Sequence, residues 1–146
     1  MSTQVDPRGP RFAAGVTSAV LVAVLVTGWW PLLAAQAVVF ALGGFAGLRL
    51  SPYSALYRAV VAPRLAPTAE REDAAPVRFA QTVGFGFAVV GVLGYVFEVT
   101  ALGAVATALA LVAALLNAVF GFCLGCEAYL LINRLSIKQR KVGTAR

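Results

Sequence analysis

The sequence predicts an all-α integral membrane protein, a bundle of four transmembrane helices. Of its 146 residues, 60% are hydrophobic and only 12% are charged, and the mean hydropathy is +0.85. Soluble domains average about 25% charged residues. Each span needs about 20 apolar residues to cross the hydrocarbon core of a bilayer. A chain of this length therefore accommodates one transmembrane domain, which we expect to cover residues 1–146.

Four apolar runs define the expected spans, and they are arranged as two tandem helical hairpins. The segment Gly28-Trp29-Trp30-Pro31 has the composition of a tight turn with its indole rings at the lipid headgroups. Arg11-Phe12-Ala13 opens the first run and Arg78-Phe79-Ala80 opens the third, which indicates an internal repeat. The predicted spans are 12–28, 32–48, 79–97 and 102–133, with a loop over 49–78.

The first run could also be a secretory signal peptide, since Ala35-Gln36-Ala37 resembles a cleavage site. Apolar sequence nevertheless continues through that site to Leu48, where a cleaved precursor would turn polar. We therefore expect the first span to be retained.

The basic residues give the orientation of the bundle. With four spans, all twelve Lys and Arg residues fall on one side, made of the N-terminus, the loop 49–78 and the C-terminal tail. The positive-inside rule assigns that side, with both termini, to the cytoplasm. Topology thus explains the net charge of +6, and nucleic acid is not an expected partner.

The loop 49–78 contains the pattern of a short interfacial helix. Apolar residues recur at helical spacing between Pro52 and Pro63, which predicts a helix on the cytoplasmic membrane surface. Its arginines, Arg58 and Arg64, either contact lipid phosphates or only fix the topology. Residues 66–77 have the composition of a flexible connection.

Two pairs of glycines suggest close helix contacts. Gly43 and Gly47, and likewise Gly121 and Gly125, have the small-xxx-small spacing that lets helices approach in lipid. The fourth run, 102–133, is longer than one crossing requires. It must tilt strongly, bend near Gly121 or Gly125, or project beyond the bilayer.

The most informative chemical feature is the dithiol Cys123-Leu124-Gly125-Cys126, which contains the only two cysteines. On a continuous helix it would lie between the midplane and the cytoplasmic surface. Residues three apart share a helix face, but an ideal helix holds their Cβ atoms too far apart for a disulfide, so local distortion would be needed. Two cysteines can also simply fill a helix interface. The dithiol is the candidate catalytic pair.

Polar residues near the dithiol complete the candidate site. Glu127, if kept protonated by burial, would relay protons for the thiols, or it would form a salt bridge with Arg49 or Arg134. Asn117 and Gln81 are candidate binding residues at membrane depth, as is Arg49 at its edge, although the two amides could simply hydrogen-bond between helices.

A metal site is not expected. The chain has no His, and Glu127 would point about 100° away from Cys126 on a regular helix, whereas zinc sites need three or four converging ligands. No cofactor is predicted, since the chain has no phosphate-binding or haem motif. Aromatic residues such as Phe120, Phe122 and Tyr129 are ordinary lipid or helix contacts, so they do not indicate whether a quinone binds near the dithiol.

Several segments together resemble small bacterial, notably actinobacterial, membrane proteins grouped as domain of unknown function 4395. They are Asp6-Pro7-Arg8, Arg49-Leu50-Ser51-Pro52-Tyr53, Arg78-Phe79-Ala80-Gln81 and, most specifically, Gly121-Phe122-Cys123-Leu124-Gly125-Cys126-Glu127. The resemblance implies a multi-pass inner-membrane protein with a dithiol, associated with thioredoxin-like and sulfurtransferase proteins.

The sequence therefore predicts a membrane-embedded dithiol protein in thiol redox or sulfur relay at the cytoplasmic side of the bacterial inner membrane. Its expected partners are the lipid bilayer and a thioredoxin-like or sulfurtransferase protein. A transporter or channel for a sulfur species is the first alternative, because Gln36, Gln81 and Asn117 lie within spans. A non-enzymatic assembly subunit, with passive cysteines, is the second, and a homo-oligomer is left open.

Overall fold

The computed structural model describes residues 4–66 and 72–144, and this part of the chain is almost entirely helical. Helix α1 is Arg8–Thr27 and α2 is Trp30–Ala41, which continues as a π-helical turn, Leu42–Ala46. Helix α3 is Pro52–Leu56, extended by a π-helical turn over Tyr57–Val61. Short 3₁₀ turns, Leu48–Leu50 and Ala62–Arg64, flank α3. The remaining helices are α4 (Ala74–Val96), α5 (Thr100–Phe120) and α6 (Leu124–Thr144).

Four of these helices form the bundle. Helix α5 packs between α1 and α4, α4 packs between α5 and α2, and α2 also contacts α1. The centre is a cluster of buried apolar side chains, mostly from α1 and α2: Leu21, Val24, Leu33, Ala37, Phe40, Ala88 and Ala110. A two-residue antiparallel ladder between β1 (Gln4–Val5) and β2 (Glu72–Asp73) joins the N-terminus to the start of α4.

Within the described part of the chain, three helices, not the four predicted, are long and apolar enough to cross a membrane: α1, α4 and α5. The second apolar segment, Trp30–Ala46, is shorter, because Gly47 takes a φ of 126° and ends it. Three such helices are compatible with a multi-pass membrane protein.

The predicted fourth span, 102–133, is two helices rather than one. Helix α5 ends at Gly121, whose φ of 68° is left-handed, a conformation that glycine adopts without the steric cost of a Cβ. Helix α6 then starts at Leu124 and packs mainly on α4. Residues 130–139 are all exposed. Of the three alternatives for this long run, the structure therefore has the bend, followed by a helix that leaves the bundle.

Only one glycine of each predicted pair makes a close contact with another helix. Gly43 faces Gln81, and a Cβ at Gly125 would lie 2.6 Å from Ala80 Cα, so these two glycines do permit close packing on α4. Gly47 and Gly121 instead have positive φ and terminate helices. The second glycine of one pair and the first of the other are therefore turn residues.

Arg11 and Arg78, the arginines on which the predicted repeat was based, make similar contacts at one end of the bundle. Arg11 Nη2, at the start of α1, donates to the oxygens of Ala118 and Val119 at the end of α5 at 3.4 and 3.3 Å. Arg78, at the start of α4, donates to the oxygens of Gly44 and Phe45 at the end of the α2 segment at 3.3 and 3.2 Å. Each arginine thus satisfies carbonyls that the end of a helix leaves unpaired. These hydrogen bonds join the first and second halves of the chain at this end of the bundle.

The helix predicted between Pro52 and Pro63 is present, but part of its apolar face packs on protein. Tyr57 is buried and its ring lies 5.8 Å from that of Phe12 in α1. Leu56 and Val60 are exposed.

Helix α4 begins at Ala74, earlier than the span predicted from Phe79. The prediction of a flexible connection over residues 66–77 is therefore wrong for residues 74–77, which are helical. Residues 67–71 of that connection lie outside the described part of the chain.

Candidate redox site

The dithiol lies at the end of the bundle where α1 and α4 begin and α5 finishes. We call this end, marked by Arg11, Arg49 and Arg78, the basic end. Gly121 N–H donates to Asn117 O at 3.0 Å and Phe122 N–H donates to Leu116 O at 3.2 Å, which closes α5. The chain then turns, and the cysteines follow. They are therefore beyond the last residue of α5, not inside a continuous span as the sequence suggested.

Cys123 and Cys126 form a disulfide, with their Cα atoms 5.1 Å apart. Cys123 precedes α6, whereas Cys126 lies in its first turn. The distortion expected for such a bond is thus supplied by the start of a helix between the two residues. Cys126 N–H donates to Cys123 Sγ at 3.2 Å. Cys126 is buried and Cys123 is half-buried, so the two sulfurs are not equivalent.

A small cavity of about 110 Å³ opens on the disulfide. It brings together both cysteines, Gln81 from α4 and Asn117 from α5, which the sequence had picked out only as separate polar residues. The antiparallel packing of α4 and α5 places these two amides at the same end. The full lining is Pro7, Pro10, Arg11, Val77, Ala80, Gln81, Asn117, Gly121, Cys123 and Cys126.

Arg11 and the two prolines are site residues that the sequence analysis did not identify. Arg11 appeared only as one of the basic residues that set the topology. Its guanidinium, bonded to the last carbonyls of α5, places a positive charge in the lining of the cavity that contains the cysteines. The sequence feature that could have identified Arg11 was the predicted repeat, in which Arg11 and Arg78 occupy equivalent positions.

A second cavity of about 370 Å³ adjoins the first, and Pro10, Val77 and Gln81 line both. Arg49, the third predicted binding residue, lies here and not with the cysteines. The lining is Asp6, Gly9, Pro10, Ala13, Leu48, Arg49, Ser51, Ser54, Tyr57, Arg58, Val77 and Gln81.

The N-terminal segment beside this cavity is fixed by Asp6. Its carboxylate accepts hydrogen bonds from the side chain of Arg8, at 3.0 Å from Nη2, and from Tyr57 OH at 3.2 Å. The Arg8 guanidinium also donates to Ala66 O at 3.1 Å. The hydrogen bond from Arg8 holds the pKa of Asp6 below its ordinary value of 3.8, so the carboxylate stays charged at neutral pH. Burial, followed by the bond to Asp6, raises the pKa of Tyr57.

Glu127 does not take the buried position expected of it. It lies in the first turn of α6 and is exposed, because α6 presents that face away from α4. Its side chain lines neither cavity. Only its backbone is tied to the dithiol, through Glu127 N–H to Cys123 O at 3.0 Å. Within residues 4–66 and 72–144 there is no ion pair between Glu127 and Arg49 or Arg134. A proton-relay role for Glu127 remains a prediction, without burial to support it.

Gln36, one of the three residues that motivated the transport alternative, is buried in the core and hydrogen-bonded there. It is 2% exposed, donates from Nε2 to Thr17 Oγ1 at 3.4 Å and accepts a hydrogen bond from Tyr53 OH. These bonds join α1, α2 and α3. Gln36 therefore acts as a packing residue in this arrangement and lines neither cavity.

The described residues contain no group of three or more His, Cys, Asp or Glu side chains that could hold a metal ion.

No curated protein and no solved structure matches the chain significantly. One family model does match, over residues 5–134, a range that includes the bundle, the dithiol and both cavities. The chain therefore belongs to the family described as domain of unknown function (DUF4395).

Proposed function

We propose that this protein is a membrane thiol–disulfide redox protein, in which Cys123 and Cys126 cycle between dithiol and disulfide. The observation that carries the proposal is the placement of the pair. Cys123 lies immediately before a helix and Cys126 in its first turn, and both face a cavity. A helix start favours a thiolate over a thiol. A pair that only filled a helix interface would need none of these features.

Cys123 is the exchanging cysteine in this proposal. Cys123 is the less buried of the two residues, and its sulfur accepts a hydrogen bond from Cys126 N–H. The positive charge of Arg11 in the same lining also favours a thiolate. Cys126, 6% exposed, is the leaving group when the disulfide opens, and it resolves the mixed disulfide in the reverse direction.

The exchange follows two balanced steps. A thiolate of the partner attacks Cys123 Sγ, the bond between Cys123 and Cys126 breaks, and Cys126 leaves as a thiolate that takes up a proton. A second thiolate of the partner then attacks the partner sulfur of the mixed disulfide and releases Cys123. The partner is oxidised to a disulfide, and the pair is reduced to a dithiol.

The orientation supports a cytoplasmic partner. The described Lys and Arg side chains belong to segments at or beyond the basic end, and the opposite turn between α4 and α5 contains only Glu98 as a charged residue. The positive-inside rule then puts the dithiol at the cytoplasmic face of the inner membrane. A thioredoxin-like protein or a sulfurtransferase reaches that face. In a sulfur relay, the thiolate of reduced Cys123 would attack the outer sulfur of a sulfurtransferase persulfide, the sulfurtransferase would leave as a thiolate, and Cys123 would carry the sulfur as a persulfide.

Trapping of a mixed disulfide tests this function. A thioredoxin whose resolving cysteine is replaced by Ser is mixed, in reduced form, with the purified oxidised protein. We expect a covalent adduct on a non-reducing gel that dithiothreitol releases and that peptide mass spectrometry maps to Cys123. The Cys123→Ser variant is the control and should give no adduct. Absence of an adduct with the wild-type protein, or equal attachment to both cysteines, would contradict the proposal.

A further inference from the structure

The 370 Å³ cavity beside the disulfide has the properties of a binding site for a small molecule. Its volume lies within the usual range for such sites, about 300 to 1,000 Å³. Its lining combines apolar residues such as Leu48, Ala13 and Val77 with arginine and serine residues. A ligand with an apolar body and one polar end matches this combination.

The charges in the lining select an anion. Arg49 and Arg58 both line the cavity, and Asp6, the one acidic lining residue among those the structure describes, is already paired with Arg8 at 3.0 Å. Arg58 Nη2 donates to Arg49 O at 3.0 Å, whereas the Arg49 guanidinium has no hydrogen bond to the described residues. A guanidinium matches the geometry of a carboxylate or phosphate and can bind it with two parallel hydrogen bonds.

Two hydroxyl groups extend this polar side. Ser51 is 5% exposed, and its side chain makes no hydrogen bond to the described part of the protein; Ser54 likewise makes none. Every fully enclosed side-chain oxygen among the described residues has a partner, so the Ser51 hydroxyl is not fully enclosed, and Ser51 belongs to the cavity lining. It is placed to donate to an anion next to Arg49.

The disulfide in the adjoining cavity indicates which chemical group the other end of the ligand carries. Pro10, Val77 and Gln81 line both cavities, so the cavity that contains Arg49 lies next to the one that contains Cys123. We infer that the larger cavity binds the anionic group of a low-molecular-weight thiol and directs its sulfur to the Cys123–Cys126 disulfide. This inference rests on the proposed redox function and names a small-molecule reductant for the same site.

The reaction is the one written above, with the small thiol as the partner. One bound thiolate attacks Cys123 Sγ and displaces Cys126 as a thiolate, and a second molecule of the thiol attacks the mixed disulfide. Two thiols become one small disulfide, and the protein gains two thiols.

The test compares two thiols of similar size, 3-mercaptopropionate, which is anionic, and 2-mercaptoethanol, which is neutral. The rate constant for disulfide reduction, per thiolate, is measured for the full chain in phosphatidylcholine nanodiscs. The ratio of the two rate constants should fall by about tenfold in Arg49→Gln and in Arg58→Gln, the size expected for one lost hydrogen bond to a charged group. Arg64→Gln removes an exposed charge from the same loop but outside the cavity lining, and should leave the ratio unchanged.

The outcomes separate the two proposals. If both thiols reduce the disulfide and the ratio is the same in all variants, the anion site is refuted while the redox function stands. A lipid phosphate could also occupy Arg49, so the assay is repeated with phosphatidylglycerol. Loss of the preference for 3-mercaptopropionate in those nanodiscs would assign the site to a lipid headgroup and overturn the inference. If neither thiol reduces the disulfide in any variant, the proposed function fails, and the inference fails with it.

Discussion

Cys123 in the Cys126→Ser variant is expected to react with iodoacetamide at neutral pH about tenfold faster than Cys126 in the Cys123→Ser variant. The thiolate is the reactive form, and a position at a helix start beside a positive charge shifts a thiol toward it by one or more factors of ten. Cys123 has the N–H of residue 126 at 3.2 Å from its sulfur and shares its cavity with Arg11. Cys126 is buried.

The measurement is the rate of mass gain in each purified variant, with the reduced thiol as the only cysteine. The same rates in sodium dodecyl sulfate provide the control, since unfolding removes the helix start and the burial together. Equal rates in the folded variants, or a faster Cys126, would contradict the assignment of Cys123 as the exchanging cysteine. Arg11→Gln in the Cys126→Ser background should slow Cys123 and leave the unfolded rate unchanged.

Replacement of Gly125 by leucine is expected to separate the start of α6 from α4. A Cβ at this position would lie 2.6 Å from both Cα and Cβ of Ala80, closer than real contacts permit. Backbone and a short side chain cannot move aside as a flexible chain could. Overpacking of this kind costs about 1–3 kcal/mol. The displacement should expose Cys126, which now faces the cavity next to Ala80.

Two measurements check this expectation in detergent, the thermal unfolding midpoint and the alkylation rate of Cys126 in the reduced protein. The midpoint should fall and the rate should rise. Gly86→Leu is the matched control, because Gly86 belongs to α4 but a Cβ there meets nothing within 4 Å. If Gly125→Leu leaves Cys126 as slow to react as in wild type, the close contact between α6 and α4 does not shield the dithiol.

Apolar runs predicted a bundle of helices, because the length of a span is a direct consequence of bilayer thickness, but the described residues contain three span-length helices and not four. The spans expected at 12–28 and 79–97 correspond to α1 and α4, with boundaries that differ by a few residues. The repeat inferred from Arg11 and Arg78 stays a prediction. Their reciprocal contacts with the other half were not predictable, since they depend on which helices become neighbours.

The division at Gly121 was the main feature that hydropathy could not resolve. Residues on both sides of it are apolar, and Gly121 and Gly125 are equivalent as a sequence pattern. In the structure they have opposite roles: Gly121 takes a left-handed φ and ends α5, whereas Gly125 is helical and packs on Ala80. Only tertiary contacts distinguish them. Because α6 is a separate helix, Glu127 lies in its first turn and is exposed, not buried within a span as predicted.

Individual residues of the candidate site were identified from the sequence, but their arrangement around two cavities was not. Cys123, Cys126, Gln81 and Asn117 were identified as chemically unusual in apolar surroundings, and the structure places all four in one cavity. Arg49 belongs to the adjoining cavity. Arg11 and Pro10 were missed because a basic or proline residue before a span is ordinary, and its contribution to a cavity depends on the fold of the N-terminal segment.

The redox state of Cys123 and Cys126 in intact membranes tests the central claim most directly. Free thiols are blocked with one isotopic form of an alkylating reagent, disulfides are then reduced and labelled with a second form, and the peptide that contains both cysteines is analysed by mass spectrometry. Treatment with an oxidant, and then with thioredoxin and its reductase, should convert the pair to an intramolecular disulfide and back again. Two thiols that stay reduced and unreactive throughout both treatments would contradict the claim and make the cysteines packing residues.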